Sequence, residues 1–197
     1  MSVPYYDNNA KEFFSSTYQV DASDLYEEFL PLLKPQSLIL DAGCGSGRDT
    51  LAFIQSGFKV TAFDASKDLA ELASKHTGQT VAVAEFSNFQ SNILFDAIWA
   101  CASLLHVPPL NLPDVFNHLA SFLKPEGIFY CSFKYGSGVT SRDGRQFTNV
   151  DENTLQKIIL NTSLKIHKKW ITRDLRTDRK SEKWMNAIFY KASLSQN

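Results

Sequence analysis

The period of apolar positions changes repeatedly along the chain. "SLILDA" (37–42) is a near-continuous apolar run, the pattern of a strand buried on both faces. Helical spacing follows over 46–57, with Leu51, Phe53 and Ile54 on one face and Gly57 at the end. The alternation then repeats. "KVTAFD" (59–64) predicts a strand, and "KDLAELASKH" (67–76) a helix that Ser66 can N-cap. "TVAVAEF" (80–86) and "FDAIWACAS" (95–103) predict strands. "LPDVFNHLASFL" (112–123) predicts a helix with Asp114 in its first turn, stopped by Pro125 and Gly127. "GIFYCSFKYG" (127–136) predicts a fifth strand.

This β-α-β-α-β order predicts an open parallel sheet with helices on both faces. The last third differs. A helix over "DENTLQKIILN" (151–161) precedes "LKIHKKWITRDLR" and "SEKWMNAIFYKA", two strands joined by a polar turn, hence antiparallel. Two helices, roughly 8–18 and 22–33, come first. The expected architecture is an α/β, Rossmann-like, seven-stranded and mostly parallel sheet with an antiparallel C-terminal edge hairpin. It forms a single domain over 1–197: a helical cover (1–34), a core (35–135), then a loop, helix and hairpin (136–197).

Composition narrows the function. The chain is 44% hydrophobic and 21% charged with net charge −1, which gives no basic footprint for nucleic acid. No apolar run approaches the roughly 20 residues of a membrane span. Cys44, Cys101 and Cys131 lack metal-ligand spacing, so no metal site is expected, and reduced thiols suit a cytoplasmic protein.

The chemistry begins at "LILDAGCGSGRDT" (38–50). Glycines 43, 45 and 47 follow Asp41 at the carboxyl end of the first strand, where open parallel sheets bind ligands. A P-loop needs a lysine that is absent here. A dinucleotide loop spaces its third glycine one position later, and Asp41 opposes a pyrophosphate. A ligand that carries positive charge at this point fits better, and S-adenosylmethionine is such a ligand.

"LDAGCGSGR" and "VTAFDAS" resemble the first two motifs of class I S-adenosylmethionine-dependent methyltransferases. The resemblance implies that the cofactor lies along Gly43, Cys44, Gly45 and Gly47, with Asp41 beside its cationic end. It also implies that Asp64, followed by Ala65, takes both ribose hydroxyls. Asp64 sits about 20 residues past the loop, as ribose geometry in such folds requires. At the end of strand three, Glu85 and the Phe86 backbone are implied to bracket adenine, although the family more often has Asp there. Ala100 to Ser103 are implied to flank the methionine part. Within the superfamily, "GCGSGRDTLAFIQSGFKVTAFDAS" with "ASLLHVP" is most similar to the tellurite-resistance-type and thiopurine-type small-molecule methyltransferases. That implies methyl transfer to a small acceptor by in-line displacement, releasing S-adenosylhomocysteine. A non-catalytic S-adenosylmethionine-binding module is the alternative. A small acceptor, with neither nucleic acid nor membrane as partner, and a monomer or homodimer, are expected.

On the acceptor side His106 stands near the expected methyl position, as a general base or as a histidine that orders the "HVPP" turn. Lys134 and Tyr135 end strand five and line the mouth or are solvated. "SRDGRQFTN" (141–149) is read as a polar loop. It is a lid whose Arg142 and Arg145 fix an anionic acceptor, or a surface turn at Asp143-Gly144. Tyr5 and Tyr6 are candidates to close over a sulfonium. Phe13, Phe14 and Tyr18 read as an ordinary apolar helix face. Arg48 opposes the dipole of its own helix, either for a functional reason such as holding a carboxylate or at a small cost. Cys101 and Cys131 are expected in buried strands.

Overall fold

A computed structural model describes residues 3–176 and 179–192. Its main sheet is built from β1 (Leu38–Ala42), β2 (Lys59–Asp64), β3 (Val81–Val83), β4 (Phe95–Ala100), β5 (Leu123–Lys134), β8 (Leu164–Arg173) and β9 (Lys183–Lys191), in the order β3-β2-β1-β4-β5-β9-β8. The first five run parallel. β9 pairs antiparallel with both β5 and β8, so the reversed strand lies inside the hairpin's edge partner. This is the expected Rossmann-like sheet with an antiparallel C-terminal edge. Thr177 and Asp178, which fall in the polar turn expected from the sequence, lie outside the described residues.

The central strands read as apolar runs because both faces are covered. Ile39, Ala97, Trp99, Tyr130 and Ile188 face α3 (Ser23–Phe29) and α4 (Arg48–Gln55), which contribute Leu25, Phe29 and Phe53. Their neighbours Leu40, Ile98, Phe129, Cys131 and Phe133 face α6 (Leu112–Ser121) and α7 (Glu152–Ile159). Trp99 and Tyr130 stack with centroids 3.9 Å apart, which adds roughly 0.5–1.5 kcal/mol beyond area burial. α5 (Lys67–Thr77) is N-capped by Ser66, whose Oγ accepts from Leu69 N at 3.2 Å, as its sequence predicts.

Four elements differ from expectation. The helix expected over 8–18 is α2 (Ala10–Thr17), and an unexpected helix, α1 (Val3–Asn8), precedes it; the two meet at Asn9, whose side chain donates back to the Tyr5 carbonyl at 2.8 Å. β3 stops at Val83. Glu85 and Phe86 therefore lie in a turn, where Glu85 N donates to Asn88 Oδ1 at 2.8 Å. β5 begins at Leu123, before Pro125 and Gly127. The chain rejoins the sheet early because Phe95 N donates to the Phe122 carbonyl, and the register slips between Phe95 and Ala97 to absorb Pro125. The loop at 141–149 is a second, two-stranded sheet: β6 (Val139–Arg142) and β7 (Arg145–Thr148) pair antiparallel around Asp143-Gly144. Both turn residues have positive φ, 52° and 75°, which is the two-residue turn that matches strand twist.

Candidate functional site

The carboxyl ends of β1, β2, β4 and β5 open into a cleft beneath α1, α2 and the β6–β7 hairpin. It divides into two chambers that share Tyr6, Phe13, Gly43, Gly45, Ala102 and His106. One chamber is bounded by Asp64, Ala65, Glu85 and Phe86. The other is basic, with Arg48, Lys134, Arg142, Arg145 and Arg173 in its wall.

The glycine loop shapes the floor. Gly43 has φ 77°, and a Cβ there would stand 2.7 Å from Ser103 Cβ and 3.0 Å from the Phe86 ring. Only glycine lets β1 turn this close to the segment after β4. Gly47 faces neither chamber. At φ 74° it opens α4, and a Cβ would meet Thr77 at 2.8 Å and Ala73 at 3.2 Å, so it serves helix packing against α5.

Asp64 ends β2 at the edge of its chamber. Its Oδ2 accepts from Gly45 N at 2.8 Å and its Oδ1 from Ser66 N at 2.9 Å. Each oxygen keeps a lone pair beyond these bonds. Burial raises its pKa against these two donors and the Ala65 N–H. Ser66 Oγ donates to Asp7 at 2.6 Å and so ties α1 to the same strand end.

Asp41 lines neither chamber. It is buried behind the loop, accepts from Thr50 Oγ1 at 2.5 Å, and is pushed up to about 8 by burial and by the Asp49 charge. Its charge is therefore not presented to the cleft. Ala100 is likewise fully buried, and Cys101 and Ala102 line the cleft in its place. Cys101 stands past β4 rather than in the core, with burial pushing its thiol up to about 12. Cys131 is core, as expected. Cys44 lines the basic chamber, its thiol also raised by burial.

Asp49 is the residue that sequence reading missed. Arg48 grips it with Nε (2.6 Å) and Nη2 (3.0 Å), while Tyr26 O–H (2.5 Å) and Trp99 Nε1 (2.7 Å) donate to the same carboxylate. Burial alone would raise Asp49, but Arg48 and these donors hold it below the usual carboxylate range. Arg48 is thereby fixed in the chamber wall, at the start of α4, by its own neighbour. The adjacent "RD" was the only sequence signal, since Tyr26 and Trp99 converge from distant elements.

At the junction of the chambers, His106 Nδ1 lies 3.0 Å from the Gln146 carbonyl and Nε2 lies 2.6 Å from Tyr6 Oη. A carbonyl only accepts, so Nδ1 carries the proton and Nε2 accepts from the tyrosine. Burial lowers His106 to about 4, well below an ordinary imidazole, so it is neutral near pH 7. Burial raises Tyr6. The Tyr6 ring packs edge-on against Phe13 and Tyr5. Phe13 thus belongs to the cleft, while Phe14 and Tyr18 stack on each other and pack against His76. Tyr5 lines neither chamber; its ring backs the Arg145 guanidinium at 4.1 Å. Lys134 and Arg142 line the basic chamber and share Glu182. Tyr135 is not brought to the site: it is exposed and donates to Glu152 at 3.1 Å.

Among the described residues, no group of three or more His, Cys, Asp or Glu could hold a metal ion, and no helix is long and apolar enough to cross a membrane.

The sheet order and the position of the cleft define a Rossmann-like α/β fold. The chain matches the methyltransferase-domain family over residues 14–159 and belongs to it. It is 31% identical over 106 residues to a ubiquinone biosynthesis O-methyltransferase of Xanthomonas campestris, a match that covers 50% of this chain and 43% of that protein. The chain thus spans less than half the length of that curated relative. Solved structures that share the fold include the following two. Magnesium protoporphyrin IX methyltransferase of Synechocystis, with bound S-adenosylhomocysteine, has TM-score 0.77, 18% identity and 96% and 97% coverage of this chain and that one. The 1,6-didemethyltoxoflavin-N1-methyltransferase of Burkholderia thailandensis, with bound 1,6-didemethyltoxoflavin and S-adenosylhomocysteine, has TM-score 0.74, 18% identity and coverages of 96% and 85%.

Proposed function

We propose that this chain transfers a methyl group from S-adenosylmethionine to a small-molecule acceptor. The observation that carries this is Asp64. Its carboxylate is clamped by Gly45 N and Ser66 N, and the lone pair left on each oxygen suits the two vicinal hydroxyls of a ribose. That Glu85 and Phe86 line the same chamber supports the reading that they bracket an adenine, through the Glu85 side chain and the Phe86 backbone. Gly43, Cys44, Gly45 and Arg48 lead from there toward the basic chamber, and Arg48 suits the carboxylate of an amino-acid tail. Bound there, S-adenosylmethionine would supply an electrophilic methyl whose carbon–sulfur bond breaks as an acceptor lone pair bonds to carbon, leaving S-adenosylhomocysteine.

The residues around that point position rather than ionise. His106 is a weak base, and its Nε2 already accepts from Tyr6. Its part is to hold Tyr6 and, with Phe13, to keep water from the junction of the chambers. Orientation of two bound reactants contributes up to roughly 7–11 kcal/mol. That suffices for soft acceptors such as sulfur, in keeping with the tellurite-resistance-type and thiopurine-type motifs of "GCGSGRDT" and "ASLLHVP". The free thiols of Cys44, Cys101 and Cys131 support a cytoplasmic setting.

Asp64→Ala should abolish S-adenosylhomocysteine binding in calorimetry, and unchanged affinity would overturn the ribose assignment. Tight binding with turnover at background across thiols, phenols and oxyanions would leave a non-catalytic holding module in place of an enzyme.

A further inference from the structure

The charges in the wall of the basic chamber are not equally occupied. Arg48 is gripped by Asp49, and Arg176 by Asp174 at 2.7 Å. Lys134 and Arg142 share the carboxylate of Glu182 at 2.6 and 2.8 Å. Arg145 is different. It is only 7% exposed and lines the chamber, yet its Nε is buried without a hydrogen-bond partner. Its one carboxylate contact runs from Nη2 to Asp143 at 3.2 Å, on a turn where that carboxylate is 59% exposed and well screened by water.

The guanidinium is nonetheless held firmly. Its carbon lies 4.1 Å from the Tyr5 ring centroid and 5.4 Å from that of Phe147. Such stacking fixes the plane of the fork while leaving its edge to meet an oxyanion. Across the turn, Arg145 pairs in register with Arg142, whose Nε is also buried without a hydrogen-bond partner and reaches the Asp143 carboxylate only at 3.9 Å. Arg145 also donates toward the Tyr6 hydroxyl, so what remains open on this hairpin is the Nε edge of each arginine. A chain of net charge −1 has thus gathered cations on one wall of one cleft, two of them with an Nε that lacks a hydrogen-bond partner. Buried donors of this kind are rare unless something else completes them.

We propose that the methyl acceptor is a small organic anion, whose carboxylate or phosphate group is held by the Arg145 fork in the basic chamber. Naming this ligand the acceptor rests on the methyltransferase reading above; the anion site rests on the hairpin geometry alone. Arg145 then sets specificity. A neutral ester or amide of the same skeleton offers the fork an uncharged carbonyl in place of two equivalent anionic oxygens, and so forfeits the bidentate, charge-assisted pair.

The test uses the full chain and calorimetry, with benzoate and phenylphosphate as probes against benzamide, each with and without S-adenosylhomocysteine. Both anions are expected to bind at least about tenfold more tightly than benzamide, and their relative order tells a carboxylate site from a phosphate site. In Arg145→Gln the preference should vanish while S-adenosylhomocysteine affinity stays within about threefold, which also reports an intact fold. Equal affinity for benzoate, phenylphosphate and benzamide in the wild type, or a preference that survives in Arg145→Gln, overturns the proposal. If that variant does not fold, Arg145→Lys decides: it keeps the charge without the fork, so a weakened preference supports the proposal and an undiminished one overturns it. Loss of S-adenosylhomocysteine binding in the wild type, with the anion preference intact, would instead overturn the cofactor reading and leave the anion site standing.

Discussion

His106 joins three separate parts of the chain through two ring nitrogens: its own turn after β4, the Gln146 carbonyl of β7 and the Tyr6 hydroxyl of α1. That use has a pH signature. Its folded pKa, about 4, lies below the ordinary 6.5 because burial disfavours the imidazolium. Between those values the unfolded chain takes a proton that the folded chain refuses. The stability contribution is therefore present above pH 6.5 and lost as pH falls toward 4. Relative to His106→Gln, wild-type unfolding free energy from urea titrations should fall by up to about 3 kcal/mol across that window. A constant difference would mean that the ring titrates normally. Asp64 and Ser66 were legible in the sequence because each acts within a few residues of a strand end or helix start. Asp41 was misleading for the same reason. Its place in the pattern is clear, but whether its carboxyl turns to the cleft or to Thr50 depends on packing no pattern records.

The β6–β7 hairpin carries Arg142 and Arg145 and supplies the carbonyl that fixes the His106 tautomer. Thr148 Oγ1 anchors it by donating to the Val107 carbonyl at 2.7 Å. Its turn depends on Gly144 at φ 75°, where a Cβ would meet nothing within 4 Å. Gly144→Ala thus isolates the backbone term, a cost of about 1–2 kcal/mol for a left-handed residue. Hairpin amides should exchange with solvent roughly tenfold faster while central-sheet amides keep their rates, as suits a local opening. Uniform acceleration would show the hairpin to be coupled to global unfolding. The sequence offered Asp143-Gly144 as a turn but not the strands beside it. "VTSR" and "RQFT" are four residues each and mostly polar, too short for period-two alternation to stand out.

Across the whole molecule, legibility tracks sequence separation. The strands and helices between 36 and 135 alternate locally, so their order could be read directly and the sheet follows from right-handed crossovers. The enclosure of the cleft could not be read. Tyr6 meets His106 across 100 positions and Arg142 meets Glu182 across 40, and nothing local marks either pair. The same assembly distributes the chain's three tryptophans unequally. Trp99 is fully buried with its indole N–H on Asp49, the carboxylate that grips Arg48 in the chamber wall. Trp184 lines that chamber with its N–H on Asp174 at 3.1 Å, and Trp170 is half-buried on the edge strand. The protein thus has two optical compartments. Acrylamide should extinguish the red side of the emission and spare a blue component that Trp99→Phe removes. Benzoate should perturb only the part that Trp184→Phe eliminates. A ligand seated among these arginines would then announce itself in the protein's own fluorescence, without any label.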